Sequence, residues 1–238
     1  MMDKKLLDLK KEVYVANKRL VEEGLVIFTF GNVSGIDRQR GIVAIKPSGV
    51  DYDKISWQDM VLVTLEGQVI DSSLKPSSDT KTHLKLYREL PLVGGVAHTH
   101  SSYASSFAQA KLSIKCLGTT HADYFYGEIP CTEFISDKAI EKDYEEETGT
   151  LIVDTFNTAK LDYMQIKACL VAGHGPFTWG SNADDAVYVS KVLEEIARQN
   201  FLTQSLNPDI EPLKKTLQNK HYFRKHGKDA YYGQDHQD

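Results

Sequence analysis

Two histidines one residue apart, His98 and His100, follow the apolar residues Val96 and Ala97. In a β-strand, residues i and i+2 point to the same face with Cα atoms about 6–7 Å apart, so both imidazoles can reach one metal ion. In an α-helix, residues two apart point in different directions. Because the chain has 8 histidines, such a pair also arises by chance, and the spacing alone does not establish a metal site.

Two further residues extend this candidate site. His174 lies in a Gly-His-Gly-Pro turn after the apolar segment 169–172, where the flanking glycines allow the imidazole a close approach to other groups. Asp79 opens a predicted helix and would add a carboxylate ligand. The alternatives are a solvent-exposed turn residue for His174 and an N-terminal helix cap for Asp79. Imidazole and carboxylate ligands without cysteine fit zinc or another divalent transition-metal ion.

Three short polar loops have the composition of an anion-binding site. They are Gly31-Asn32, Ser48-Gly49 and Ser77-Ser78, with Lys46 just before the second loop. Each follows a predicted strand or precedes a predicted helix, where backbone N–H groups are free to bind a phosphate. Each loop can equally serve only as a turn. Because the third loop precedes Asp79, a phosphate bound there would lie near the metal ion, as a small sugar phosphate requires.

The pattern of apolar residues predicts the elements that must position these side chains. Helices are expected over residues 3–23, 76–90, 101–110, 136–159 (interrupted near Gly149) and 182–204. Strands are expected over residues 25–30, 41–46, 94–100, 169–172 and 177–179, with a hairpin formed by 60–65 and 68–70. We therefore expect one α/β domain over residues 1–238, with a largely antiparallel sheet covered by helices and a disordered tail at 235–238.

The composition narrows the class of protein. With 238 residues, 41% hydrophobic and 26% charged residues and a formal net charge of -5, the chain is typical of a globular enzyme and lacks the basic character of a general nucleic-acid binder. Its cysteines have no Cys-x-x-Cys spacing, which argues against a disulfide framework or a zinc finger. With no apolar run of about 20 residues and a charged N-terminus, we expect a cytoplasmic protein without a membrane span or signal peptide.

Taken in order, several segments of the chain match one known pattern. They are Phe30-Gly31-Asn32-Val33-Ser34, Ile45-Lys46-Pro47-Ser48-Gly49-Val50, Lys75-Pro76-Ser77-Ser78-Asp79-Thr80, His98-Thr99-His100, Gly118-Thr119-Thr120-His121-Ala122-Asp123-Tyr124 and His174-Gly175-Pro176-Phe177. Together they resemble the class II aldolase/epimerase family. The C-terminal segments Lys220-His221-Tyr222, Arg224-Lys225-His226-Gly227 and Tyr231-Tyr232-Gly233-Gln234 are similar to the pentose-phosphate epimerases of that family. The likeness extends from Leu6 to Gln234.

The resemblance implies a fold, an assembly and a set of site residues. The fold would be an α/β/α sandwich with a central, largely antiparallel sheet, assembled as a cyclic homotetramer. One divalent ion per subunit, zinc by preference, would be held by Asp79, His98, His100 and His174. Contacts to the sugar phosphate would come from Gly31, Asn32, Lys46, Ser48, Gly49, Ser77, Ser78, Thr119 and His221. Asp123 and Tyr232, contributed by a neighbouring subunit, would act as acid and base.

The reaction that the resemblance implies interconverts L-ribulose 5-phosphate and D-xylulose 5-phosphate. The hydrogen on C4 is not acidic, because C4 is not adjacent to the C2 carbonyl. Cleavage of the C3–C4 bond, rotation of the glycolaldehyde phosphate and re-addition would invert C4 instead. A divalent ion would stabilise the enediolate that cleavage leaves, and two acid–base groups would serve opposite faces of the aldehyde.

Other interpretations of the same residues stay open. The nearest is an aldolase of the same fold that releases its aldehyde, of the L-fuculose-1-phosphate type, although such enzymes tend to carry Glu where this chain has Asp79. A non-catalytic module like the adducin head would keep the fold without the reaction. A cupin would need a Glu soon after the His-x-His pair, and a zinc hydrolase would need the Glu base of an HExxH motif; the sequence supplies neither.

Overall fold

The computed structural model describes residues 3–70, 72–228 and 230–232. Within them, one sheet is formed by β1 (Asn32–Asp37), β2 (Ile42–Ile45), β3 (Val61–Thr64), β4 (Gly95–His98), β5 (Ala168–Val171) and β6 (Gly175–Gly180). The strand order is β3-β2-β1-β4-β6-β5, and each neighbouring pair is antiparallel. The helices are α1 (Lys4–Glu22), α2 (Thr80–Glu89), α3 (Ser102–Gln109), α4 (Thr119–Ala122), α5 (Asp137–Ala159), α6 (Ala183–Leu206) and α7 (Lys215–Lys225).

Both faces of the sheet are buried under helices. In β2, Ala44 belongs to an apolar cluster with Val13 of α1, whereas its neighbours Val43 and Ile45 belong to a cluster with Leu84 of α2. The residues of β4 alternate between the two clusters in the same way. Because successive side chains of a strand point to opposite faces, this alternation identifies a helix–sheet–helix sandwich, and the predicted fold class is confirmed.

The prediction of a strand over residues 25–30 is wrong. This segment is a largely exposed loop, and the first strand begins only at Asn32. Two left-handed residues, Phe28 with φ 54° and Gly31 with φ 74°, interrupt the extended backbone. A Cβ at Gly31 would lie 2.7 Å from Val26 Cγ1 and 2.8 Å from the carbonyl oxygen of His98. The loop therefore packs directly against the strand that carries the first candidate metal ligand.

The interruption of α5 lies at Asp143 and not near Gly149. The backbone of Asp143 leaves the helical conformation, with φ -169° and ψ 91°, whereas Gly149 is helical. A Cβ at Gly149 would lie 2.6 Å from Lys85 Cβ of α2. The glycine thus allows a close approach of two helices, and the helix changes direction one and a half turns earlier.

The other predicted helices and strands lie within a few residues of their expected positions. The 68–70 arm of the hairpin is reduced to a bridge between Val63 and Val69. Gly233, Gln234 and the tail expected at 235–238 lie outside the described residues. None of the described helices combines the length and the hydropathy that a membrane span needs.

Candidate metal centre and anion-binding cavity

Three imidazoles converge where β4 ends and β6 begins. His98 is the last residue of β4, His100 follows it, and His174 directly precedes β6. The Nε2 atoms of His98 and His100 lie 2.9 Å apart, and one ligating atom from each of the three residues lies within 4.8 Å of the others. Nitrogens bound to one tetrahedral zinc ion at about 2.0–2.1 Å lie about 3.3 Å apart, so the cluster fits such an ion.

His98 is oriented by the sheet around it. Its Nδ1–H donates to the carbonyl oxygen of Pro176 at 2.9 Å, which leaves the Nε2 lone pair to face His100 and a metal ion. Its ring stacks on Phe177, with centroids 4.2 Å apart. Burial lowers the pKa of His98 to about 3 and also lowers the pKa of His174. Both imidazoles are therefore neutral at pH 7, as metal binding requires.

Asp79 precedes α2, but its carboxylate does not cap that helix. Instead, Oδ2 accepts a hydrogen bond from Asn32 Nδ2 at 2.6 Å. Burial acts to raise the pKa of Asp79, but the imidazoles of His98 and His83 and the Asn32 hydrogen bond outweigh it, so the pKa lies below its ordinary value. Among the described residues, the ligating atoms within 4.8 Å of one another belong to the three histidines and not to Asp79. Its position as a fourth ligand stays a prediction.

A cavity of about 420 Å³ joins the histidine cluster to the three polar loops. Its lining consists of Thr29, Phe30, Gly31, Asn32, Lys46, Pro47, Ser48, Gly49, Ser77, Ser78, Asp79, His100, Tyr144, Glu145 and His174. Loops that are up to 47 residues apart in the sequence, as Asn32 and Asp79 are, thus face one space. The cavity lining includes ten of the residues that the sequence assigned to the metal ion or the phosphate, whereas Thr119 and His221 are not part of it.

One backbone amide in each of the second and third loops donates a hydrogen bond to a residue that flanks the other loop. The N–H of Ser48 donates to the Lys75 carbonyl and that of Ser77 donates to the Lys46 carbonyl, each at 3.0 Å. These two amides are not free for a phosphate, in contrast to the expectation from the sequence. Their hydroxyl groups and the Lys46 ammonium group are still donors. Burial lowers the pKa of Lys46, whose Nζ lies 4.7 Å from the centroid of the Tyr52 ring.

Five residues that line the cavity were not among the predicted site residues: Thr29, Phe30, Pro47, Tyr144 and Glu145. Tyr144 and Glu145 belong to α5 and directly follow its break at Asp143. The Tyr144 hydroxyl lies 3.2 Å from His174 Nδ1. Tyr144 and Glu145 lie in the charged part of the helical segment 136–159, where the residue pattern does not indicate which turn faces a cavity.

Asp123, His221, Arg224 and Tyr232 form a second group, named here the C-terminal cluster. Asp123 follows α4, and its Oδ1 accepts hydrogen bonds from His221 Nδ1 at 3.1 Å and Arg224 Nε at 3.0 Å. Its Oδ2 accepts from Arg224 Nη2 at 2.8 Å. Burial acts to raise the pKa of Asp123, but the hydrogen bonds from Arg224 and His221 outweigh it and lower the pKa. The carboxylate is therefore ionised at pH 7.

Tyr232 completes this cluster from the end of the described chain. Its N–H donates to the Arg224 carbonyl at 3.0 Å, and its ring centroid lies 4.7 Å from Arg224 Cζ and 4.5 Å from Lys225 Nζ. Thr119, the first residue of α4, accepts a backbone hydrogen bond from Asp123 at 2.9 Å. Of the residues that the structure describes, neither Thr119 nor any member of the C-terminal cluster lines the cavity. Within one chain the two groups are separate.

Comparisons with known proteins agree with this architecture. A family model described as class II aldolase and adducin N-terminal domain matches residues 11–201. A solved L-fuculose 1-phosphate aldolase is 23% identical, with a TM-score of 0.80 over 94% of this chain and 97% of that chain. YgbL from Klebsiella pneumoniae is 23% identical, with a TM-score of 0.70 over 92% of this chain and 99% of that one. The L-fuculose 1-phosphate aldolase from Glaciozyma antarctica PI12 is 18% identical, with a TM-score of 0.74 over 95% and 84%. These likenesses show a common fold.

Proposed function

This chain belongs to the class II aldolase and adducin N-terminal domain family, and on that premise we propose that it is a metal-dependent enzyme that acts on a sugar phosphate. The observation that carries the proposal is one cavity lined by all three polar loops and by His100 and His174 of the histidine cluster. A phosphorylated sugar has an anionic group at one end and oxygens that bind a divalent ion, so it matches both parts of the lining. The specific activity that we propose is that of an L-ribulose-5-phosphate 4-epimerase.

The metal ion would be held by His98, His100 and His174, with Asp79 as a fourth ligand. Zinc suits this set of imidazole and carboxylate donors. When bound, the ion supplies Lewis-acid stabilisation for negative charge on the substrate oxygens. The hydrogen bond from His98 to Pro176 holds that imidazole in the tautomer and orientation that metal binding needs.

The phosphate would be held by Ser48, Ser77 and Lys46, which line the same cavity. The serine hydroxyls donate hydrogen bonds, and the ammonium group adds a positive charge in a partly dehydrated position. Such an anchor is necessary for inversion at C4, because the aldehyde fragment must rotate without leaving the site. The proposed epimerase chemistry thus requires both the metal ligands and the phosphate-binding residues.

Inversion at C4 also requires two proton-transfer groups. As the C3–C4 bond breaks, the C4 hydroxyl gives its proton to one group, and after rotation the other group returns a proton to the same oxygen. We assign these tasks to Asp123 and Tyr232. Since neither lines the cavity of its own chain, we propose that a neighbouring subunit of a homotetramer supplies them, as the family resemblance implies.

An aldolase that releases its aldehyde is the second candidate. Three of the structurally similar proteins are named L-fuculose 1-phosphate aldolases, and the cavity would accommodate that chemistry as well. Asp79 favours the epimerase, because a glutamate at this position can reach past the metal ion to act as a base, whereas the shorter aspartate is suited to act as a ligand. A non-catalytic adducin-like protein would have no need of the histidine cluster.

The test is a coupled assay for D-xylulose 5-phosphate formed from L-ribulose 5-phosphate, with and without a chelator. We expect turnover that is lost with the chelator and restored by zinc. Cleavage of a ketose phosphate to a free aldehyde, without epimerisation, would assign the protein to the aldolases instead. Zinc binding without either reaction would refute the proposed activity and leave only the fold.

A further inference from the structure

A break in α5 is fixed by contacts with α2. At Asp143 the helix is interrupted, and Asp143 Oδ1 accepts a hydrogen bond from the Glu146 N–H at 3.3 Å, so that Asp143 caps the helical segment that follows. Lys81 of α2 donates to Asp143 Oδ2 at 2.6 Å. Thr82 of α2 donates from Oγ1 to the Glu145 carbonyl at 2.6 Å. The helix that begins beside Asp79 therefore determines where residues 144 and 145 lie.

On the C-terminal side of the break, α5 packs closely against α2. Gly149 lies so near α2 that a Cβ would be 2.6 Å from Lys85 Cβ and 3.1 Å from the Thr82 carbonyl oxygen. The Arg88 guanidinium donates to Glu146 Oε1 at 2.6 Å. Contacts with α2 thus hold the chain on both sides of Tyr144, at Asp143 and at Glu145 and Glu146.

Tyr144 makes with His174 the contact that a backbone carbonyl makes with His98. The Nδ1 of His98 is bound to the Pro176 carbonyl at 2.9 Å, whereas the Nδ1 of His174 has the Tyr144 hydroxyl at 3.2 Å. The two rings of the second pair lie 6.1 Å apart. Gly173, with φ 74°, places His174 at a turn. Among the described residues, the Tyr144 hydroxyl is the hydrogen-bond partner of that imidazole.

We propose that Tyr144 is a positioning residue of the metal centre: its hydroxyl oxygen accepts a hydrogen bond from His174 Nδ1–H and thereby leaves Nε2 to face the ion. The inference rests on the metal centre of the proposed function. Hydrogen-bond partners of metal-binding histidines fix the ring orientation and tautomer, and their removal typically weakens metal affinity about 10- to 100-fold. The break at Asp143 gives this helical residue access to the ligand.

The experiment compares Tyr144→Phe with wild-type protein and with Tyr124→Phe as a matched control. The Tyr124 hydroxyl also has one hydrogen bond, 2.9 Å to the Tyr188 hydroxyl, and does not line the cavity. The dissociation constant for zinc is measured by competition with a chromophoric chelator. We expect Tyr144→Phe to raise this constant about 10- to 100-fold and Tyr124→Phe to leave it within about twofold of the wild-type value.

A second measurement uses wild-type protein alone. In the ¹⁵N NMR spectrum of the zinc-loaded protein, His174 is expected to show a protonated Nδ1 and a metal-bound Nε2. A metal-bound Nδ1, or a Tyr144→Phe protein that binds zinc as tightly as wild type, would overturn the inference while the proposed function stands. Failure of the wild-type protein to bind zinc at all would instead overturn the proposed metal centre together with the inference.

Discussion

The three histidines of the candidate metal centre lie at the ends of sheet strands, whereas the C-terminal cluster consists of Asp123, which follows α4, two residues of α7, and Tyr232 beyond α7. His98 is 1% exposed and Tyr232 is 58% exposed. The sheet fixes the directions of side chains that must bind one ion together, since buried strands offer little freedom of movement. The C-terminal cluster is held by an Arg–carboxylate pair and by contacts between cations and the Tyr232 ring, with Asp123 buried and Tyr232 exposed.

The two regions also differ in the protonation state of their titratable groups. Burial lowers the pKa of His98 to about 3, so the cavity presents neutral imidazoles. In the C-terminal cluster, hydrogen bonds from Arg224 and His221 outweigh burial and lower the pKa of Asp123, so that region presents an ionised pair. A metal site needs deprotonated ligands, while a proton-transfer site needs polar groups in contact with substrate. The difference agrees with the proposed function, in which the first region binds the metal ion and the second region transfers protons.

The largest effect is expected from removal of a buried ligand. His98→Asn should abolish stoichiometric zinc binding and lower turnover by about 10³-fold or more, because several kcal/mol of charge stabilisation are lost with the ion. Zinc content by atomic spectroscopy and the coupled assay measure both effects. His226→Asn is the control for zinc content alone, since His226 lies outside the cavity lining and its Nε2 donates to the Asp123 carbonyl. Full zinc occupancy in His98→Asn would contradict the assigned metal centre.

A change in the C-terminal cluster should instead separate turnover from metal binding. Tyr232→Phe keeps the ring that stacks beside Arg224 and Lys225 but removes the hydroxyl. We expect turnover to fall by about 10²–10⁴-fold, the usual contribution of an acid–base group, with unchanged zinc content. Tyr231→Phe is the neighbouring control. Near-normal turnover in Tyr232→Phe would remove this residue from the mechanism and, with it, the functional division between the two regions.

The sequence predicted many residues of the cavity, but it did not predict the break in α5 that brings Tyr144 to the cavity. Residue type and spacing identified the histidines at strand ends and the polar residues of Ser48-Gly49 and Ser77-Ser78 as candidates, although neither pattern alone established a site. The break at Asp143 depends on contacts with Lys81 and Thr82 of another helix. A sequence pattern does not contain such contacts, so the approach of Tyr144 to the metal ligands became visible only in the structure.

The error over residues 25–30 has a related cause. A continuous apolar run is typical of a buried strand, but this one precedes Gly31, whose positive φ turns the chain before the sheet begins. The apolar side chains of Ile27 and Phe28 are consequently exposed. Hydrophobicity predicted burial here, and the backbone conformation at the following glycine prevented it.

A third prediction concerns the pH dependence of the free energy of unfolding, through His121 of α4, the helix that precedes Asp123 of the C-terminal cluster. Burial lowers the pKa of His121 in α4 to about 4, below the value of about 6.5 in an unfolded chain. As the pH falls below about 6.5, the unfolded chain binds a proton at His121 and the folded protein does not, so stability falls until about pH 4. Between about pH 7.5 and about pH 4.5, wild type should lose about 2–3 kcal/mol more than His121→Gln. Urea unfolding at each pH measures this difference, and equal losses would mean that His121 is not held neutral by burial.

The smallest effect is expected in the loop that precedes β1. A comparison of alanine substitutions at Gly31 and Gly24 separates the cost of the left-handed backbone from the cost of the contact with His98. Gly31 and Gly24 have φ of 74° and 68°, so alanine at either position should cost about 1–2 kcal/mol of stability for its left-handed backbone. A Cβ at Gly24 meets no atom within 4 Å, whereas one at Gly31 meets Val26 Cγ1 and the His98 carbonyl oxygen. Gly31→Ala should therefore lose more stability in urea unfolding than Gly24→Ala, and it alone should weaken zinc binding, because its contact displaces the backbone of a metal ligand. Equal zinc affinities in the two variants would show that the loop closes the cavity without supporting His98.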